Sequence, residues 1–162
     1  MKFTKSQLDA ILSGILSNEP DSDWDELANA DLTGVNLSEY VLYQLNLKDA
    51  NLSDADLSST DLLCADLGNA NLSNANLRKA VLSQADMSNA NLSKAILCNA
   101  YLYHAYMQYA NLRKADLRKA DLGAADLSNA ILSEANLNES TYNNHTKWPD
   151  DFDPIAAGAI KY

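Results

Sequence analysis

Asp31, Asp56, Asp61, Asp66, Asp86, Asp116, Asp121 and Asp126 each stand just before a leucine or methionine, a series regular enough to raise the question of carboxylate chemistry. The same slot holds Asn in other stretches of the chain, as in ANLRKA beside ADLRKA. General acid or base work needs a group that exchanges a proton, which an amide does not do. Free interchange of Asp with Asn therefore points to a turn-bonding or solvating role. His104 lies among tyrosines with no Ser or Cys nucleophile in its own segment, and His145 falls in a loop-like tail. Cys64 and Cys98 are far apart and belong to no CxxC or Cys/His set, so neither a disulfide framework nor a zinc site is indicated. No Gly-rich phosphate loop is present, and no cofactor or metal is expected. These residues describe a protein that is not an enzyme.

One stretch stands out. AYLYHAYMQYA, residues 100–110, holds four of the eight tyrosines, between neighbours that read ANLSKA and ADLRKA. Its alanines and its Leu and Met nevertheless keep the pattern of the flanking sequence.

That pattern is a five-residue repeat. From Ala30 to Glu139 the 110 residues form 22 units with no insertion. The central residue at 32, 37, 42 and onward is Leu, replaced only by Met87 and Met107. Two residues earlier stands Ala, except for Val35, Tyr40, Leu45 and Thr60. A period of five suits neither an α-helix, in which the leucines would precess around the axis, nor a flat strand, in which they would alternate faces. The chain must turn once per repeat, with Ala and Leu pointing inward. Stacked coils would then bury a continuous interior and pair their backbone groups with the coils above and below.

The units ADLSNA, ANLRKA and ADLRKA resemble the A(D/N)LXX motif of the pentapeptide-repeat family. The resemblance implies an all-β solenoid, a right-handed quadrilateral β-helix with four repeats per coil. Twenty-two repeats would make about 5.5 coils and a rod roughly 26 Å long at the usual strand spacing. Ala suits a narrow interior in which two large side chains per repeat would not fit.

Three regions follow: residues 1–29 as an N-terminal capping helix and connector, 30–139 as the β-helix, and 140–162 as a C-terminal cap. Thr4 and Gln7 make a capping box and Phe3 can staple to Leu8. Leu8, Ile11, Leu12, Ile15 and Leu16 follow at helical spacing, and Pro20 marks the stop. Trp24 and Leu27 are expected to close the gap to the first coil. A membrane-binding role for this helix would need more cations than Lys5 on its polar face. In the tail, TKWPDDFDP and AAGAI resemble the ends of many cyanobacterial family members. Trp148, Phe152 and Ile155 are expected to fold over the last coil as a loop or short-helix cap.

The net charge of −10 and pI near 4.4 argue against a nucleic-acid binder, which needs a cationic footprint. No apolar run is long enough to span a bilayer. The N-terminus reads as retained, and a cytoplasmic protein is expected.

With four repeats per coil, residues twenty apart stack. One face then carries Val41, Asp61, Val81, Tyr101 and Asp121 in one column and Tyr43, Leu63, Ser83, Tyr103 and Gly123 in the next, with Tyr106 and Tyr109 around the corner. Seven of the eight cations in the repeats fall on the two other faces. The candidate interaction patch is therefore Val41, Tyr43, Leu63, Val81, Tyr101, Tyr103, Tyr106 and Tyr109. Tyr and Val also favour β structure and could stack as a stabilising ladder. Contiguity and the enrichment of Tyr at binding surfaces favour a patch for a protein partner of unknown identity. The expected function is a non-catalytic interaction scaffold or regulator, monomeric or weakly dimeric, acting on neither nucleic acid nor membrane. The alternative, implied by family members that mimic DNA, is binding to DNA gyrase or another DNA-binding protein through acidic faces. The repeats hold 13 acids against 8 cations, which gives that alternative only modest support.

Overall fold

The computed structural model describes residues 27–162. The N-terminal capping helix and Trp24 lie outside the described residues, whereas Leu27 is wholly buried under the first coil.

Every repeat bends in the same way. The carbonyl of the central residue accepts the N–H three residues on, as in Ala50 to Leu47 at 3.1 Å. The third residue of each turn has positive φ, which among turns with an ordinary second residue marks type II. All 22 corners from 34 to 139 share this conformation, yet only Gly34 is glycine. Asn tolerates it best among the others, which explains Asn at corners 69, 74, 89, 99 and 129.

Parallel bridges join each residue before the central Leu to its counterpart twenty positions on, from Asp31–Asn51 to Asp121–Thr141. Four repeats therefore make one coil, and the coils stack in four ladders. The backbone accounting is nearly complete within one repeat. The residue before Leu donates down to the coil below, as Asn51 does to Ala30 at 2.8 Å, and Leu donates up, as Leu52 does to Asn71 at 2.7 Å. The corner residue also donates up, as Asp54 does to Ser73 at 3.0 Å. The remaining N–H, one residue after Leu, turns to a side chain. In all sixteen repeats with Asp or Asn before the central residue, its Oδ1 accepts that N–H. This Asx turn is the role that the Asp/Asn interchange foretells.

The interior is the expected Ala and Leu ladder, with Met87 and Met107 filling Leu positions, and nearly all of these residues are fully buried. Thr60 stands buried at an Ala position, with its hydroxyl donating to the Leu37 carbonyl at 2.7 Å. Leu45 is buried, while Val35 and Tyr40 pack partly buried against the core. On one face Asn111 donates to Asn91, Asn91 to Asn71 and Asn71 to Asn51, amide to amide down the rod at 2.9–3.2 Å, and Asn51 donates to the Thr33 hydroxyl at 2.8 Å.

The chain end closes the top. Strand β1, Thr141–Tyr142, pairs in parallel with β2, Ile160–Lys161. Tyr142 meets Trp148 edge-on at 5.4 Å, and Trp148 stacks on Phe152 at 5.3 Å, so both rings cover the last coil as expected. Ile155 does not, being 67% exposed. No helix occurs among the described residues, and at 154–158 the cap makes a single turn where a short helix was one expectation. Asp153 Oδ1 caps it by accepting from Ile155 and Ala156, Pro154 opens it, and Gly158 at φ 89° closes it. The bonds from Ala159 to Pro154 and from Gly158 to Ile155, both 2.9 Å, are the paired bonds of a Schellman stop. Ala157 and Ala159 face the core from this turn, which leaves Ile155 on its outer side.

Candidate protein-interaction face

The groups with chemical potential are spent on the fold. Asp116 receives Arg118 through two guanidinium nitrogens at 2.8 Å each, and this pairing holds its carboxyl down at about 2. The Cys98 thiol beside them is buried, and burial followed by the Asp116 carboxylate pushes its pKa up, away from nucleophilic thiolate. Asp126 is ion-paired to Lys147 at 2.8 Å. On the basic side, Arg113 and Lys114 converge on Glu134, and Lys119 reaches Glu139.

The tyrosines are different. Tyr101, Tyr103, Tyr106 and Tyr109 are 42–61% exposed. They belong to a single coil and wrap one corner of the rod, so they form a horizontal band. Their ladder neighbours are not aromatic: Tyr101 is bridged to Val81 and Asp121, and Tyr106 to Asp86 and Asp126. The ring contact within the band is Tyr103 against His104, edge-on at 4.4 Å. A vertical aromatic ladder does not form.

The eight residues of the patch divide into two groups. Val81 lies directly beneath Tyr101 and is half-buried, so it forms the floor of the band's lower edge. Val41 and Tyr43 are exposed three rungs below the band, with half-buried Leu63 above Tyr43. Asp61 and Ser83 interrupt the apolar surface between the two groups.

One aromatic residue joins the band unforeseen. Tyr162 donates its N–H to the Tyr142 carbonyl at 3.0 Å and lays its hydroxyl over Gly123, next to the Tyr103 ring. Tyr162 as a whole is 64% exposed, and partial burial of its hydroxyl, then the Asp121 carboxylate, raise its pKa. The signal in the sequence was the glycine at 123, a gap in a column of side chains.

Two open grooves flank Tyr106 at the corner. The lower, about 370 Å³, is lined by Asp66, Gln84, Asp86 and Ser88 among others. The upper, about 300 Å³, is lined by His104, Asp126, His145 and Lys147. Both are shallow and open, unlike the enclosed apolar pockets of small-molecule sites.

The family model described as pentapeptide repeats matches in 8 copies, over residues 26–62, 65–102, 85–123, 99–133 and 120–141. No curated protein matches the chain. Among solved structures, it is similar to a pentapeptide repeat protein of the Arabidopsis thaliana thylakoid lumen, with 28% identity over 69% of this chain and 78% of that one and a TM-score of 0.63. It also matches HetL, a pentapeptide repeat protein involved in heterocyst differentiation regulation in the cyanobacterium Nostoc, with 27% identity, 82% and 70% coverage and a TM-score of 0.48. QnrB1, a plasmid-mediated fluoroquinolone resistance protein, shares the fold at 20% identity, with 83% and 78% coverage and a TM-score of 0.55. The repeat matches from residue 26 to 141 and the four-sided ladder of twenty-residue coils make this chain a member of the pentapeptide repeat family, whose proteins form right-handed quadrilateral β-helices.

Proposed function

We propose that the protein is a non-catalytic scaffold that binds a protein partner through the tyrosine band. The supporting observation is where the tyrosines sit. Tyr101 and Tyr106 occupy the Asx position, so no side-chain oxygen from that slot accepts the N–H of Tyr103 or Gln108, as it does in the sixteen Asx repeats. Tyr109 stands at a corner with φ 60°, a conformation that disfavours a bulky side chain by about 1 kcal/mol or more. Three of the four rings thus occupy places where Asp or Asn would serve the coil better, and none gains a stacked aromatic neighbour up or down the ladder. Local features that work against the fold are expected at functional sites.

Crosslinked capture from the source organism's lysate tests this. The Y101S/Y103S/Y106S variant should lose the partner that the wild type retains while keeping its fold. Equal capture by both would sink the proposal. A DNA-mimic role has the overall charge in its favour but not the distribution. The carboxylates of the ladders are tied into turns, Asp116 and Asp126 are neutralised, and two faces carry cations. Gyrase supercoiling that is unaffected by excess protein would dispose of it.

A further inference from the structure

The ladder that contains Tyr106 reads Asn46, Asp66, Asp86, Tyr106, Asp126, Lys147 from bottom to top. Asp66 and Asp86 are the one pair of acids bridged directly to each other among the described ladder positions. They are separated by a single rung of about 4.8 Å, a spacing at which like charges oppose each other. Two acids in other ladders are relieved: Asn76 donates to Asp56 at 2.9 Å, and Arg118 pairs with Asp116. No cation of the described chain lies within ion-pair distance of Asp66 or Asp86, and Lys48, whose stem passes Gly68, pairs with neither. Both carboxylates open into the lower groove, and Tyr106 forms part of its wall.

The upper groove shows what such a place accepts. There the ladder carries a carboxylate, Asp126, and the Lys147 ammonium sits on it at 2.8 Å in a groove that Tyr106 also lines. The lower groove offers the same Tyr106 wall and two carboxylates, with no lysine of its own. A cation held between carboxylates and an aromatic ring gains from both.

Resting on the reading of the tyrosine band as the partner-binding face, we propose that the partner is a protein presenting a lysine or arginine, whose charged head enters the lower groove against Asp66 and Asp86 beside Tyr106. The exposed rings of Tyr101 and Tyr103 then cover the residues flanking that cation. Nucleic acid is repelled by the same two charges.

The test is an NMR titration of the full chain with acetyl-tetralysine amide at low salt. In the wild type, shift changes should centre on the amides of Gln84, Ser88, Tyr106 and Gln108 and fade as salt is added. The D66N/D86N variant, which retains both Asx acceptors, should bind about tenfold more weakly, the loss that one charge-assisted hydrogen bond implies. The charge-matched D49N/D54N variant should stay within about twofold of the wild type. Shift changes spread evenly over the acidic surface, an equal loss in both variants, or no binding would overturn the proposal. If D66N/D86N retains the lysate partner that Y101S/Y103S/Y106S loses, the cation site is wrong and the scaffold reading stands. If the tyrosine variant also retains it, the scaffold reading itself fails.

Discussion

The hydroxyl of Tyr162 rests on Gly123, one rung above Tyr103, in the space that a Cβ at position 123 would fill. This contact fastens the last residue of the chain to the side of the rod and lengthens the aromatic band by one ring. Gly123 has no positive φ to explain it, so the space it leaves is its contribution.

Gly123→Ala should therefore act on the chain end and leave the coils intact. The new methyl would overlap the Tyr162 hydroxyl, the end of a side chain that can swing away, and crowd the ring edge of Tyr103 at Cδ2, 2.9 Å away. A loss of about 1 kcal/mol is expected, at the low end for overpacking. Amide exchange should quicken at Ile160–Tyr162 and stay unchanged at Leu82 or Leu102. Uniform acceleration would show that Tyr162 anchors more than its own strand.

The asparagine ladder makes a graded prediction. Asn71 donates to Asn51 at 2.9 Å, accepts from Asn91 at 3.1 Å and accepts the Ser73 N–H at 3.2 Å. Asn71→Ala removes all three bonds and should cost about 1–3 kcal/mol in denaturant melts, given roughly 1 kcal/mol for each partly buried bond. Asn71→Asp keeps both acceptor bonds and loses only the donor, so it should fall between Ala and wild type. An Asp variant as unstable as Ala would mean that the amide donor carries the ladder.

Asp116 governs part of the acid response. Hydrogen bonding from Arg118 lowers its pKa from 3.8 to about 2, so the stability it supplies is complete above 3.8 and disappears as pH falls toward 2. Asp116→Asn keeps the turn acceptor and removes the charge. This variant should melt below wild type at pH 7, with the difference closing between pH 4 and pH 2. A gap of constant size across that range would assign the effect to packing around Cys98.

How far the sequence could be read depended on its period. Where the five-residue repeat holds, it assigns inward and outward positions, and the bridge from Val81 to Tyr101 stacks residues as expected. The turn role of Asp and Asn was legible because each substitutes for the other within one chain. Half-burial of Leu63 and Val81 was not legible, since it depends on the side chains in the rungs above and below. The tail was harder still. Asp126 bridges Lys147 at a spacing of 21, because one extra residue enters the loop at 143–146. That slip places Lys147 on the ladder of Tyr106, where no count in fives would put it. The resemblance of the tail to other family members implied that Ile155 folds over the last coil, but the single turn closed by Gly158 points it outward.

The measurement that bears most directly on the tyrosine band is the thermal stability of Y101N/Y106N/Y109N. Asparagine restores two Asx turns, worth about 0.5–1.5 kcal/mol each, and relieves the corner at position 109. A melting temperature at or above that of the wild type is expected, which would mean that the rings are there for a partner. A fall of several degrees would make them part of the fold's own support and contradict the binding role.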